Sequence, residues 1–250
     1  LDEHAPLVAV YLRALLYRYR RAVEVVTIEN YVKPGDYALD LGARRGLFTL
    51  ILREKVGAAG RVDAFEPFAP NMKALRAVFG KSSNIVLRQV ALSSSAGEAT
   101  LTVPKEGGLP QTALGSIESH LHLQGDVERV SVPLSTLDQE LAQRTRPVAF
   151  IKCDIEGHEL EALKGAVNVL KADHPVVLME IEQRHSREPI STRFEFLQSL
   201  GYRAYFLPYK KEKRPIEEFD PQTLQRIERA GTADYVNMFL FLPQTGPGKS

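Results

Sequence analysis

The sequence holds a single cysteine, Cys153, so no intrachain disulfide can form. A chain of 250 residues can bury a sizeable core without disulfide or metal staples. This cysteine usage fits a reducing compartment, and a cytoplasmic setting is expected. Cys153 closes the apolar run that starts at Val148-Ala149-Phe150-Ile151, so it reads as a buried strand residue and not a nucleophile. No apolar run approaches the ~20 residues of a membrane span. The start shows no charged segment followed by an apolar one, so no signal peptide is read. The first residue is Leu1 and not Met, which leaves a removed leader open. An excess of one charge is also missing. The 32 basic and 31 acidic residues leave a net charge of +1 and no global reason to expect nucleic acid or an anionic membrane. Two local runs, Arg18, Arg20, Arg21 and Lys210, Lys211, Lys213, Arg214, read as solvated surface.

What is present is a rhythm of short apolar strands and helices. Residues 6–31 lack glycine and space Leu7, Val10, Leu12, Leu15 and Leu16 helically, which predicts one or two helices before the core. After a turn at Pro34-Gly35-Asp36 come a strand at 37–41, a tight loop from Gly42 to Gly46, and a helix over 47–56. A second strand over 61–65, a helix over 70–79 begun by proline and a third strand from Ile85 to about Leu92 follow. Two alternating segments, 98–103 and 128–134, enclose a loop containing His120 and His122 and predict a hairpin-like insertion. A short helix over 135–141 is next. A fourth strand over 148–153, a helix over 158–170, a fifth strand over 175–181, a helix over 192–200, a sixth strand from Gly201 and a last strand over 235–242 complete the chain. The segment 243–250 reads as a disordered tail. Strands alternating with helices argue for one α/β domain with a parallel sheet, residues 1–33 being a helical extension and 34–242 the core.

In doubly wound sheets a ligand sits at the C-terminal strand ends, at the switch point. The first strand here ends in Asp40-Leu41-Gly42-Ala43-Arg44-Arg45-Gly46. The two glycines let the backbone approach a ligand closely, but the spacing is not the Gly-x-Gly-x-x-Gly of a dinucleotide site. The second strand ends in Phe65-Glu66-Pro67, with Glu66 twenty residues after Gly46. An acidic side chain there can accept hydrogen bonds from both ribose hydroxyls of an adenosine. Together, on consecutive strands, the two features favour adenosyl binding.

The chain from about Tyr37 to Ile181 resembles the FkbM family of methyltransferases. The matching pieces are Leu39-Asp40-Leu41-Gly42-Ala43, Phe65-Glu66-Pro67, Ala91-Leu92-Ser93 with Gly97-Glu98, and Ser135-Thr136-Leu137-Asp138. The most specific piece is Ile151-Lys152-Cys153-Asp154-Ile155-Glu156-Gly157-His158-Glu159, followed by Leu160, Leu163, Lys164-Gly165-Ala166 and Met179-Glu180-Ile181. The resemblance implies a Rossmann-like class I fold: a mostly parallel seven-stranded sheet with an antiparallel last strand. It implies S-adenosylmethionine as methyl donor and usually a hydroxyl acceptor, often on a sugar, glycolipid or polyketide. One departure is Arg44, where the family usually carries Asn. Arg44 can pair with the methionine carboxylate or fill the pocket.

The residues assigned to the cofactor on this basis are Asp40, Gly42, Ala43, Arg44, Gly46, Glu66, Pro67, Ala91, Leu92 and Asp154. Asp40 orients the loop, reaches the cofactor's ammonium or serves as a capping carboxylate. Asp154 is the first choice for the methyl-proximal carboxylate, His158 a candidate base near neutrality, and Glu156 a further catalytic candidate. Glu156 and Glu159 equally read as caps of the following helix. Glu180, Glu182 and His185 are candidates for the acceptor pocket. No His-x-x-x-His or multi-Cys pattern assigns metal ligands, although carboxylates with His185 leave a divalent ion open. Tyr202, Tyr205 and Tyr209 read as core aromatics beside a charge run. Against an O-methyltransferase stand three alternatives: a methyltransferase-like binding module without turnover, a nicotinamide oxidoreductase, and a nucleic-acid methylase. The missing Gly-x-Gly-x-x-Gly and Tyr-x-x-x-Lys patterns argue against the second. Near-neutral charge and the missing Asn/Asp-Pro-Pro-aromatic signature argue against the third.

Overall fold

The computed structural model describes residues 5–106, 109–110, 115–118 and 126–244. The chain opens with α1 (Pro6–Arg20) and α2 (Val23–Tyr31), then β1 (Tyr37–Leu41), α3 (Leu47–Val56), β2 (Arg61–Phe65), α4 (Ala69–Phe79) and β3 (Ile85–Arg88). There follow β4 (Ala91–Leu92), β5 (Gly97–Glu106), β6 (Leu109–Pro110), β7 (Val127–Ser135) and α5 (Leu137–Glu140). The last part is β8 (Phe150–Cys153), α6 (Glu159–Lys164), α7 (Val167–Asp173), β9 (Val176–Glu180), α8 (Ser191–Ser199), β10 (Tyr202–Phe206), β11 (Arg214–Pro215), α9 (Pro221–Leu224) and β12 (Met238–Pro243).

The main sheet runs β11-β10-β12-β9-β8-β1-β2-β3. Strands β3, β2, β1, β8 and β9 are parallel, and β12 runs antiparallel to both β9 and β10. All five residues of β1 and all four of β8 are buried, as strands covered on both faces must be. Alternate side chains feed two separate cores. Leu39, Leu41, Ile151, Cys153, Val177 and Met179 join one cluster. Ala38, Val62, Ala64, Phe150 and Leu178 join the other, together with Val10, Ala14, Val25 and Ile28 of the N-terminal helices. The chain leaves β1 toward β2 on one side and returns to β8 on the other, so the ends of β1 and β8 form the switch point.

The structure departs from the sequence reading at five places. The main sheet has eight strands and not seven, because the two-residue β11 adds an antiparallel edge. The third strand ends at Arg88, which is held by Asp63 (2.9 Å) and Glu140 (3.0 Å). The chain then leaves the sheet, and Ala91–Leu92 pairs in parallel with Leu134–Ser135. The insertion is consequently a four-stranded sheet, β4-β7-β5-β6, built on the expected β5–β7 pair and filled by Phe68, Ala91, Leu101, Val103 and Val132. The expected helix over 158–170 is two helices. It breaks at Gly165, where a Cβ would lie 2.0 Å from the Ser93 carbonyl oxygen. Asp138 accepts from the amides of Asn168 (3.0 Å) and Val169 (2.9 Å) and so starts α7. The last strand extends through Pro243, which pairs with Tyr202. Residues 245–250 of the expected tail, and His120 and His122, lie outside the described residues.

The tightest constraint is at Gly42, which has φ +82°. A Cβ there would lie 1.9 Å from the Asp154 carbonyl oxygen. Gly42→Ala therefore strains the backbone and wedges β1 from β8. We expect a loss of more than about 2 kcal/mol, read as a melting temperature lower by about 5 °C or more.

Candidate active site

The loop after β1 is pinned to its neighbours by main-chain bonds. The amides of Gly42 and Ala43 donate to the Phe65 carbonyl (3.0 and 2.9 Å), and the Asp154 amide donates to the Leu41 carbonyl (3.0 Å). Arg44 takes a left-handed conformation, φ +50°, and its amide donates to Glu66 Oε2 (2.8 Å). The Phe68 amide donates to the other oxygen of Glu66 (2.9 Å). Glu66 thus ties the first loop to the second. Burial pushes its pKa up to about 7, against the amides of Phe68 and Arg44, which favour the carboxylate.

Beside this loop opens a cavity of about 690 Å³. Gly42, Ala43, Arg44, Glu66, Pro67, Ala91, Leu92 and Asp154 all line it, as do Glu156 and His158. Two of the expected cofactor residues lie elsewhere. Gly46 is buried under α4, where a Cβ would meet the Phe79 ring at 2.4 Å. Asp40 is fully buried and accepts the Thr49 hydroxyl at 2.6 Å. Thr49 lies in the first turn of α3, and its amide and hydroxyl both meet Asp40, so of the three readings the geometry favours the capping carboxylate.

One residue of the Ile151–Glu159 motif to which the sequence reading gave no role organises the cavity floor. Lys152 lies opposite Asp40 in the β1–β8 register, and its Nζ donates to Asp154 Oδ2 at 3.0 Å. The same ammonium sits 4.6 Å from the centre of the Phe48 ring. Burial opposes the Lys152 charge, but Asp154 and Asp40 more than offset it, so its pKa is raised. The signal in the sequence was a lysine inside an otherwise apolar strand. The N-terminal helices also reach the cavity with Arg13, Tyr17 and Glu24, and α4 with Asn71, none of which a strand-end argument could find. Asn71 is buried, and its Oδ1 has no partner among the described residues.

The far wall is acidic. Glu156, at φ +53°, faces His185 Nδ1 (3.2 Å), and burial together with Asp154 pushes its pKa up to about 8. Glu180 accepts from Asn237 Nδ2 (2.6 Å), and burial and Asp154 raise its pKa. Glu182 is held by Arg184 (2.7 and 2.9 Å) and by the Tyr235 hydroxyl. Glu159 is not on the cavity wall; it accepts the amide of Gly157, which lies before α6, at 2.8 Å. His158 places Nδ1 2.5 Å from Glu118 and Nε2 3.0 Å from the Ser93 hydroxyl. A carboxylate only accepts, so Nδ1 donates to Glu118, and Nε2 shares a hydrogen bond with the Ser93 hydroxyl. Both ring nitrogens are thereby engaged in holding the insertion. The Ser116 hydroxyl, donating to the Glu156 carbonyl (2.7 Å), is a second anchor.

Among the described residues no group of three or more His, Cys, Asp or Glu side chains is arranged to hold a metal ion.

The raised Glu66 pKa carries a sign for stability. The folded protein holds this proton between the ordinary carboxyl value and about pH 7. Its contribution is present below about pH 4.5 and lost as pH rises through about 7, on the order of 3 kcal/mol. We expect the melting temperature of the unliganded protein to fall from pH 5 to 8 less steeply in Glu66→Gln than in the unaltered protein. Parallel curves would refute this assignment.

The geometry agrees with what the chain is similar to. A profile described as the methyltransferase FkbM domain matches residues 40–204. Among curated proteins there is no match. Among solved structures, methyltransferase FkbM from Methylobacillus flagellatus KT aligns with a TM-score of 0.52 at 15% identity, over 91% of this chain and 52% of that one. This chain therefore spans about half the length of that protein. A protein named as an rRNA methylase from Clostridium thermocellum aligns with a TM-score of 0.50 at 12% identity, over 91% of this chain and 97% of that one. At such identities the structures speak for the fold, a class I Rossmann-like one, and the profile speaks for the family. The chain belongs to the FkbM family of S-adenosylmethionine-dependent methyltransferases.

Proposed function

We propose that this chain is an O-methyltransferase that uses S-adenosylmethionine and takes a small polyhydroxylated acceptor, a sugar-containing or secondary-metabolite molecule. The single observation that carries the reading is one cavity with two unlike walls. One wall has the glycine loop, Glu66 and an apolar edge, and the other has Asp154, Glu156, Glu180 and Glu182.

The first wall suits the cofactor. Glu66 has unused lone pairs for ribose hydroxyls, and the partnerless Oδ1 of Asn71 is an acceptor beside it. Pro67, Phe68, Ala91 and Leu92 offer an apolar slot for a flat base. Arg44 and Arg13 bring guanidinium groups suited to a carboxylate. When bound, S-adenosylmethionine supplies an electrophilic methyl group on a sulfonium.

The second wall suits hydroxyls. A carboxylate accepts from a hydroxyl, and a protonated carboxyl both accepts and donates. Asp154, fixed by Lys152, orients the acceptor hydroxyl. Glu156, with its pKa pushed up to about 8, takes the hydroxyl proton. His158 holds the insertion over the site. Positioning of the acceptor and removal of its proton are the protein's contributions to the rate.

Calorimetric titration with S-adenosylhomocysteine tests the first wall. We expect micromolar binding, weakened at least about tenfold by Glu66→Ala. No binding to the unaltered chain would favour Arg44 and Arg45 closing the pocket, and with it the reading as a binding module without turnover. For the second wall, kcat with a responsive acceptor should rise with pH through about 8, and Glu156→Gln should remove that rise and lower kcat about a hundredfold. An unchanged pH profile in that variant would assign the proton to another group.

A further inference from the structure

Helix α1 turns its greasy side outward. Its inward face is Ala9, Val10 and Ala14, which are buried, with Arg13 and Tyr17 on the cavity wall. The opposite half of the helix is Leu7, Val8, Tyr11, Leu12, Leu15, Leu16 and Tyr19, all exposed large apolar or aromatic residues, with Leu15 at 59% and Tyr19 at 87%. Of the helically spaced Leu7, Val10, Leu12, Leu15 and Leu16, Val10 is buried and the four leucines form a surface stripe. Scattered exposed leucines need no explanation, but a contiguous helical half whose one charge, Arg18, is paired with Glu54 marks an interaction surface.

The two basic runs that look separate in the sequence meet at the end of this stripe. The Tyr209 hydroxyl donates to the Arg20 carbonyl at 3.0 Å, which sets the Lys210–Lys213 loop against the C-terminus of α1. Arg20, Arg21, Lys210, Lys211 and Lys213 are all exposed. Arg18 is paired with Glu54 and Arg214 with Glu218, and Glu212 is the acidic residue within the loop. The patch is thus strongly positive although the whole chain carries a net charge of only +1.

We propose that α1 and the Lys210–Lys213 loop form a docking surface for an anionic lipid bilayer. An apolar helical face flanked by cations and interfacial tyrosines is the composition of a helix that lies in the headgroup plane. The charge complementarity selects acidic headgroups, because each basic residue near such a surface adds to the attraction. This is surface attachment, since no helix among the described residues is long and apolar enough to cross a membrane. Docking in this way lays helix α1 between the bilayer and the cavity, whose wall carries Arg13 and Tyr17 on the opposite face of the helix.

The test is sedimentation of the full chain with vesicles of phosphatidylcholine alone and of phosphatidylcholine with about one third phosphatidylserine. Binding is expected to the second kind, to weaken with added salt, and to fall about tenfold or more in Leu12→Ser/Leu15→Ser and in Lys210→Glu/Lys211→Glu. S-adenosylhomocysteine affinity and melting temperature read in the same variants verify that they are folded. The proposal is overturned if the unaltered chain ignores anionic vesicles, or if the leucine variant binds them as well as before. It is equally overturned if the chain is a dimer that the leucine variant dissociates, since the stripe then belongs to a second copy.

Discussion

A buried ammonium holds the cavity floor together. Lys152 stands on the central strand β8 with Asp40 opposite it on β1 and Asp154 two residues on, and Glu180 on β9 also feels its charge. Without that cation the carboxylates would be desolvated and mutually repulsive, and they would have to take up protons or move apart. With it, Asp154 is kept at the strand end in one orientation. The Asp154 backbone does the second half of this work. Its carbonyl lies where only glycine fits at position 42, so the geometry of the loop and that of the acidic wall are one constraint.

From that floor the rest of the site is assembled by covers. Glu66 fastens the first loop to the second strand end through two amides, which closes the side of the cavity that suits a nucleoside. The insertion sheet comes down on the other side through Ser116 and the His158–Glu118 contact. The N-terminal helices pack into the same core as β1 and β8, and so place Arg13, Tyr17 and Glu24 on the wall. A side chain whose ring nitrogens both hold the cover is a poor proton acceptor for a substrate. The contacts of His158 therefore fit a positioning part better than that of a base.

Much of the main sheet was legible because buried parallel strands are short apolar runs, bounded here by glycine and proline. The helix over 47–56 matched residue for residue, since Gly46 and Gly57 bracket an apolar-rich segment. The loop, Glu66 and Asp154 were found because strand ends are where a doubly wound sheet binds ligands. Where the reading slipped, a non-local contact had decided. The third strand stopped at Arg88 because two acids from distant segments hold it, and α6 ended because the Ser93 backbone crosses at Gly165.

The sequence by itself determined the fold class, because that depends on local periodicity and on spacing along one chain, and it pointed to the family through the resemblance of its motifs. Tertiary structure decided the rest. It put Lys152 among the carboxylates, sent Asp40 beneath the loop, and brought helix α1 to the cavity wall. It also turned the leucines of α1 to the surface and joined two distant basic runs beside them. A helical periodicity says that one face differs from the other. Which face is covered depends on what packs against it, and that is a property of the folded chain alone.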